Sequence, residues 1–273
     1  MKFHLHHIHH PLLKPHILYI LFNENSKSSI IREMTSYANT NICLGILKGA
    51  KLVESEDGAK ALVKQSEITS YLTGLYVKPH RVLLNEAQEE ICIDFTPLGY
   101  YHFFPFPQKK YILNENILSE AFGDEANSFF EKVFESSDYL RKGLMIEQFL
   151  LTNLKAFEAS FIRESLWYLH ATKGQIGVGE LSAKLNTNDK KLYRYFESYF
   201  DVSPQEYKRI VRFRYILNSL KRKKSCMTSL AYESEFHDQS HFIKEVKKFT
   251  GLTPGECISK CITLDDTVFL NVR

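Results

Sequence analysis

No apolar run in this chain approaches the roughly twenty residues that a membrane-crossing helix needs, so no transmembrane segment is expected. The opening stretch, Met1 to His16, lacks the cationic start, apolar core and small-residue cleavage site of a secretion signal, and the cytoplasm is the expected location. Cysteine is sparse. Cys43, Cys92, Cys226, Cys257 and Cys261 are odd in number and scattered, without Cys-x-x-Cys spacing, which excludes a paired disulfide framework and a four-thiolate zinc centre and leaves reduced thiols. No cofactor motif is present, and none is expected to be bound.

What is present is a chain of 273 residues, 44% hydrophobic, long enough for two domains with ordinary cores. Its net charge of +3 is unevenly spread. Residues 174–273 carry 17 Lys and Arg against 12 Asp and Glu, whereas residues 1–173 carry 18 against 20. Between Lys190 and Lys248 the ratio sharpens to 14 basic against 7 acidic residues, the footprint of a surface that meets phosphates.

Periodicity divides the chain. From His16 to about Phe106, short apolar or alternating segments (ILYILF, ICLGIL, SYLTGLYV, ICIDF) separated by turn signals predict a β-rich domain, sandwich or barrel-like. From about Asn114 to Thr172 the period becomes 3.6, with Phe129, Val133, Leu140, Leu144, Phe149, Leu154, Phe161 and Leu166 along two to four amphipathic helices. The fold class is therefore α+β. A β-rich region at 1–113, a helical connector at 114–173, an all-α double helix-turn-helix domain at 174–262 and a tail at 263–273 are expected.

The C-terminal part carries the clearest signal. Ser229 to Gly255 reads as a short helix, a turn, an Asp238 N-cap and a second helix whose first turn is polar and whose Phe242, Val246 and Phe249 face inward. Val178 to Tyr207 repeats the pattern, with Asn188 or Asp189 as the cap, Leu181, Ala183 and Leu185 as the inner face of the first helix, and Leu192 and Phe196 on the second. Ser203-Pro204 closes the first unit where Thr253-Pro254 closes the second. Between them, residues 203–224 form one basic helix roughly 30 Å long.

Two such units joined by a basic helix resemble the DNA-binding domain of AraC-type transcription regulators, and the order of β-rich domain, connector and double helix-turn-helix resembles a full-length member. Residues 16–106 also resemble, more weakly, a β-sandwich domain found at the N-terminus of such regulators. The resemblance implies a sequence-specific regulator of transcription that binds double-stranded DNA. A small-molecule effector, homodimerisation through the connector and, for an activator, contact with RNA polymerase follow as implied partners. Base-facing positions are then Lys190, Tyr193 and Arg194 in the first unit and Gln239, Ser240, His241 and Lys244 in the second. Lys191, Lys208, Arg209, Lys221, Arg222, Lys223, Lys224 and Lys247 are assigned to backbone phosphates. Lys244 stands where the family usually has Arg, which exchanges bidentate guanine recognition for a point charge. Asp201 and Glu235 replace family glycines. If those positions keep positive φ, Asp tolerates it better than Glu.

His4, His6, His7, His9 and His10 crowd the N-terminus. Alternating imidazoles share a strand face, but no Glu, Asp or Cys nearby in sequence completes a ligand set, so no metal is assigned. The β-rich region also lacks the His-x-His with downstream Glu and His of a metal-dependent cupin enzyme, and enzymatic activity is not expected. The alternative is an enzyme fused to an AraC-type reader, as in alkylated-DNA repair proteins. It requires a reactive Cys in a Pro-Cys-His context and four zinc-binding cysteines, and neither Cys43 nor Cys92 has that setting.

Overall fold

The computed structural model describes residues 1–26, 32–54, 59–75, 77–84, 86–104, 106–108, 116–222, 239–264 and 268–272, except for the side chains of residues 221, 222, 268 and 269. In chain order the strands are β1 (Lys2–His6), β2 (Ile17–Asn25), β3 (Arg32–Ser36), β4 (Ile42–Lys48), β5 (Ala50–Glu54), β6 (Lys60–Lys64), β7 (Thr69–Thr73), β8 (His80–Leu84), β9 (Gln88–Phe95), β10 (Ile262–Leu264) and β11 (Val268–Val272). The helices are α1 (Ile117–Phe122), α2 (Glu125–Glu135), α3 (Tyr139–Asn153), α4 (Ser160–Ala171), α5 (Val178–Lys184), α6 (Asp189–Phe200), α7 (Pro204–Arg222), α8 (Gln239–Thr250) and α9 (Pro254–Lys260). The α+β class expected from periodicity is the class observed. Met1–Arg32, Asn41–Gly74 and Val82–Glu158 form one compact unit; Glu33–Thr40, Leu75–Arg81 and Ala159–Arg273 form the other.

In the first unit β1, β2, β9, β4 and β7 make an antiparallel sheet in that order. Strand alternation sends Ile20, Phe22, Leu44, Ile46, Ile91 and Ile93 to one face, all buried, and the helices pack there. The Leu118 N–H of α1 donates to Ser70 Oγ on β7 at 3.2 Å, and the Tyr139 ring of α3 lies 5.5 Å from that of Phe22. Helix α3 approaches β1 closely because residue 143 is glycine: a Cβ there would fall 2.2 Å from His6 Nδ1. The hairpin β5–β6 and the parallel pair of β6 with β8 complete the strand pairing described in this unit.

The opposite sheet face is also buried and sets polar groups among apolar ones such as Leu21 and Leu47. Asn23, Asn25, Gln88, Glu90 and Asp94 lie on it, with Cys43, Cys92 and Tyr71 among them. Glu90 accepts from Asn23 Nδ2 at 3.0 Å and from the Tyr71 hydroxyl at 2.6 Å, while Asp94 accepts from Asn41 Nδ2. Burial pushes both carboxyls up, Asp94 to about 7, against the pull of these donors. Among the described residues the amide oxygens of Asn23, Asn25, Asn41 and Gln88 are buried without a hydrogen-bond partner.

The second unit is built on α7. Ile210, Phe213, Ile216, Leu217 and Leu220 pack with Phe242, Val246 and Phe249, and the Phe213 and Phe249 rings stack at 4.8 Å. Tyr37 and Ala38, from far upstream, belong to the same core, and the Cys261 thiol donates to the Tyr37 hydroxyl at 3.5 Å. Residues read from sequence as a tail are strands: β11 pairs antiparallel with β10 and with β3, Leu270 opposite Ser36.

Candidate nucleic-acid interface

Helix α5 is short and buries Leu181 and Ser182, while Ala183 is exposed and Leu185 half-buried. The expected inner face of Leu181, Ala183 and Leu185 followed a period of two. On a helix, two residues turn through about 200°, which sends Ala183 outward. A turn through Asn186, at φ 48°, leads to Asn188, whose side chain accepts from the Lys191 N–H at 2.9 Å and caps α6. Leu192, Phe196 and Phe200 recur every fourth residue and are buried, as are Tyr207, Phe213 and Leu220 on α7.

That spacing decides which side chains of α6 face out. Lys190, Lys191, Tyr193 and Arg194 are all exposed. Among the described residues no hydrogen bond or ion pair holds the Arg194 guanidinium. Lys191 is partly engaged, its ammonium 5.4 Å from the Phe161 ring centroid and 5.9 Å from that of Tyr195. Helix α6 ends at Asp201, which adopts the left-handed conformation at φ 56° with its N–H on the Glu197 carbonyl. The positive φ anticipated for this glycine replacement is present. Glu235, the other replacement, lies outside the described residues.

Helices α7 and α9 begin on the same chemistry. Ser203 and Glu206 exchange hydrogen bonds before α7: Ser203 N–H to Glu206 Oε2 at 3.0 Å and Glu206 N–H to Ser203 Oγ at 3.2 Å, with Pro204 between them. Thr253 and Glu256 do the same before α9, around Pro254. Hydrogen bonds from Ser203 hold Glu206 below the usual carboxylate range. Lys260, at 2.8 Å, and Thr253 hold Glu256 at about 2.

Helix α7, 19 residues long, spans about 28 Å. Two of its basic residues are committed inside the unit. Lys208 Nζ donates to the Ile176 carbonyl at 2.8 Å, beside Gly174, where a Cβ would lie 2.3 Å from the Lys208 carbonyl oxygen. Arg209 grips Glu245 of α8 with both arms of its fork, at 2.9 and 2.8 Å, and lies 5.6 Å from the Phe249 ring. Arg212 approaches the same carboxylate at 3.8 Å. Burial would raise the Glu245 carboxyl, but the two guanidiniums hold it below the ordinary value. The assignment of Lys208 and Arg209 to phosphates thus meets a physical obstacle: their charges are already paired or hydrogen-bonded. Sequence reading missed Glu245 because its partner is 36 residues upstream.

On α8, Phe242, Glu245, Val246 and Phe249 are buried, and Gln239, Ser240, His241, Lys244 and Lys247 are exposed. The Asp238 cap, the helix before it, Lys223 and Lys224 lie outside the described residues, as do the side chains of Lys221 and Arg222. No described helix is long and apolar enough to cross a membrane.

Comparison with known proteins bears on this unit. Residues 181–259 match a family described as a helix-turn-helix domain, so this part of the chain is a helix-turn-helix domain of the AraC type. Among solved structures the chain is similar to apo ToxT with a single substitution, from Vibrio cholerae strain SCE256, at 15% identity and a TM-score of 0.48, covering 88% of this chain and 97% of that one. It is similar to ToxT from Vibrio cholerae O395 bound to (E)-4-(8-methylnaphthalen-1-yl)but-3-enoic acid, at 15% identity and a TM-score of 0.47 over 95% and 99% of the two chains. It is also similar to unsaturated fatty acid bound wild-type ToxT of strain SCE256, at 16% and 0.45 over 88% and 94%. No curated protein matches the chain.

Proposed function

We propose how this DNA-binding transcription regulator reads its site: α6 and α8 enter successive major grooves on one face of the duplex, with α7 as the strut between them. The observation that carries this reading is the pair of helices, each buried along one stripe and presenting polar, mostly basic side chains on the other, joined by a helix of about 28 Å, close to the ~34 Å turn of B-DNA. Arg194, whose fork no described residue holds, is assigned to a guanine edge, with Lys190 and Tyr193 beside it. Gln239, Ser240, His241 and Lys244 form the second reading surface. Phosphate contacts fall to Lys191, Lys247 and the basic run Lys221 to Lys224, without Lys208 and Arg209. No catalytic step is assigned to the chain, and its place of action is the cytoplasm.

Replacing Arg194 by Ala is expected to cost about 1 to 3 kcal/mol and to relax preference at one or two base positions. Lys247→Ala should weaken all sequences alike. Binding-site selection with each variant separates the roles, and the same uniform loss from both would make Arg194 a phosphate contact.

The regulatory half of the reading places a small-molecule effector against the buried sheet face of the first unit that carries Glu90 and Asp94. Four amide oxygens without a partner among the described residues and two carboxyls favour a ligand rich in hydrogen-bond donors. Homodimerisation is assigned to α3. Much of the expected connector stripe is used internally, Phe149 stacking on Phe129 at 4.7 Å and Leu150 being buried, but Leu140 and Leu144, one turn apart, remain 55% and 47% exposed.

A further inference from the structure

The N-terminal histidines acquire a carboxylate that the sequence did not place beside them. Glu147 of α3 reaches the end of β1, where its Oε1 lies 2.8 Å from His6 Nε2 and 3.7 Å from His9 Nδ1. One ligand atom from each of the three residues lies within 4.8 Å of the other two. We propose that His6, His9 and Glu147 form a binding site for one divalent transition-metal ion, with zinc as the best chemical fit.

The geometry suits such an ion. Four-coordinate zinc with bonds near 2.1 Å sets its ligand atoms about 3.4 Å apart, within the span of the two measured separations. Two imidazoles and one carboxylate are the donors of zinc, nickel or iron sites, whereas calcium and magnesium take oxygen shells. The carboxylate is also held in place. The His9 N–H donates to Oε1 at 3.0 Å and the His10 N–H to Oε2 at 2.8 Å, while Gly143, one turn earlier on α3, makes room for the His6 ring. His6 and Glu147 are buried and His9 is exposed, so the site has a dry floor and one side open to solvent. A bound ion would clamp β1 and the turn after it to α3.

Metal binding is read on the full chain without DNA, independently of the regulator reading. Protein stripped with chelator is titrated with zinc chloride by calorimetry, and its zinc content is measured after gel filtration. Wild type and His7→Ala, a histidine outside the triad, are expected to retain one zinc per chain. His9→Ala, which removes an exposed ligand and should fold, is expected to lose at least about tenfold in affinity. Zinc should raise the melting temperature of wild type but not of His9→Ala. Absence of retained zinc, or equal affinity in wild type and His9→Ala, would overturn the site; the latter would put the ion on other histidines.

Discussion

Two buried carboxylates show how burial assigns opposite roles to the same chemistry. Glu245 is ionised because Arg209 and Arg212 surround it, and it fastens α8 to α7. Removing one member of a buried ion pair leaves the other charge desolvated, so Glu245→Ala should destabilise the C-terminal unit by about 3 kcal/mol. Chemical denaturation of residues 159–273 within the full chain, followed by tryptophan fluorescence at Trp167, tests this, and a loss well below 1 kcal/mol would make the pair incidental. Asp94 has no such cation among the described residues, and burial pushes its carboxyl up to about 7. The folded chain therefore keeps a proton between about pH 4 and 7 that the unfolded chain has released. The stability tied to that proton is fully present below about pH 4 and is lost as pH rises through about 7. Carboxylates shifted downward, such as Glu206 and Glu256, act only below their ordinary range, whereas Glu90, also raised by burial, adds to the effect of Asp94, and His170, lowered by burial, opposes it. Calorimetry should find a higher melting temperature at about pH 5.5 than at about pH 8, with the difference reduced in Asp94→Asn. An unchanged difference would remove Asp94 as its cause.

At the scale of elements, legibility followed the distance over which each signal acts. The fourfold spacing of Leu192, Phe196 and Phe200, the Asn188 cap and the matched Ser-Pro and Thr-Pro boxes are local, and each could be read from neighbouring residues. The burial of Tyr37 in the core of the C-terminal unit, the pairing of β11 with β3, and the meeting of Glu147 with His6 join residues more than a hundred positions apart, beyond the reach of periodicity. The basic composition of α7 was legible, but the internal commitment of Lys208 and Arg209 was not, because charge counts do not record partners. The connector stripe was visible as well, and its division between internal packing and exposed surface follows from α2 and α3 meeting through Phe129 and Phe149. Replacing Leu140 and Leu144 together by Lys should turn a dimer at tens of micromolar into a monomer in sedimentation without lowering stability, since both side chains are exposed. A wild-type chain that sediments as a monomer would remove the dimer assignment.

For the whole molecule, the claim is that two reading helices and one strut address one face of DNA. Affinity should fall steeply with salt, since Lys190 to Lys248 holds 14 basic against 7 acidic residues. Salt dependence alone would follow from any basic surface. The fixed separation of the heads is more demanding: inserting about five base pairs between the two halves of a selected site rotates one half by about half a turn. The most direct test is the affinity of the full chain for such a site before and after that insertion, measured by fluorescence anisotropy. A rigid α7 predicts collapse toward nonspecific binding, without recovery when about ten base pairs are inserted, because the restored phase comes with about 34 Å of added separation that a strut of about 28 Å cannot span. Equal affinity for the original and half-turn sites would contradict simultaneous reading by two helices held on one strut.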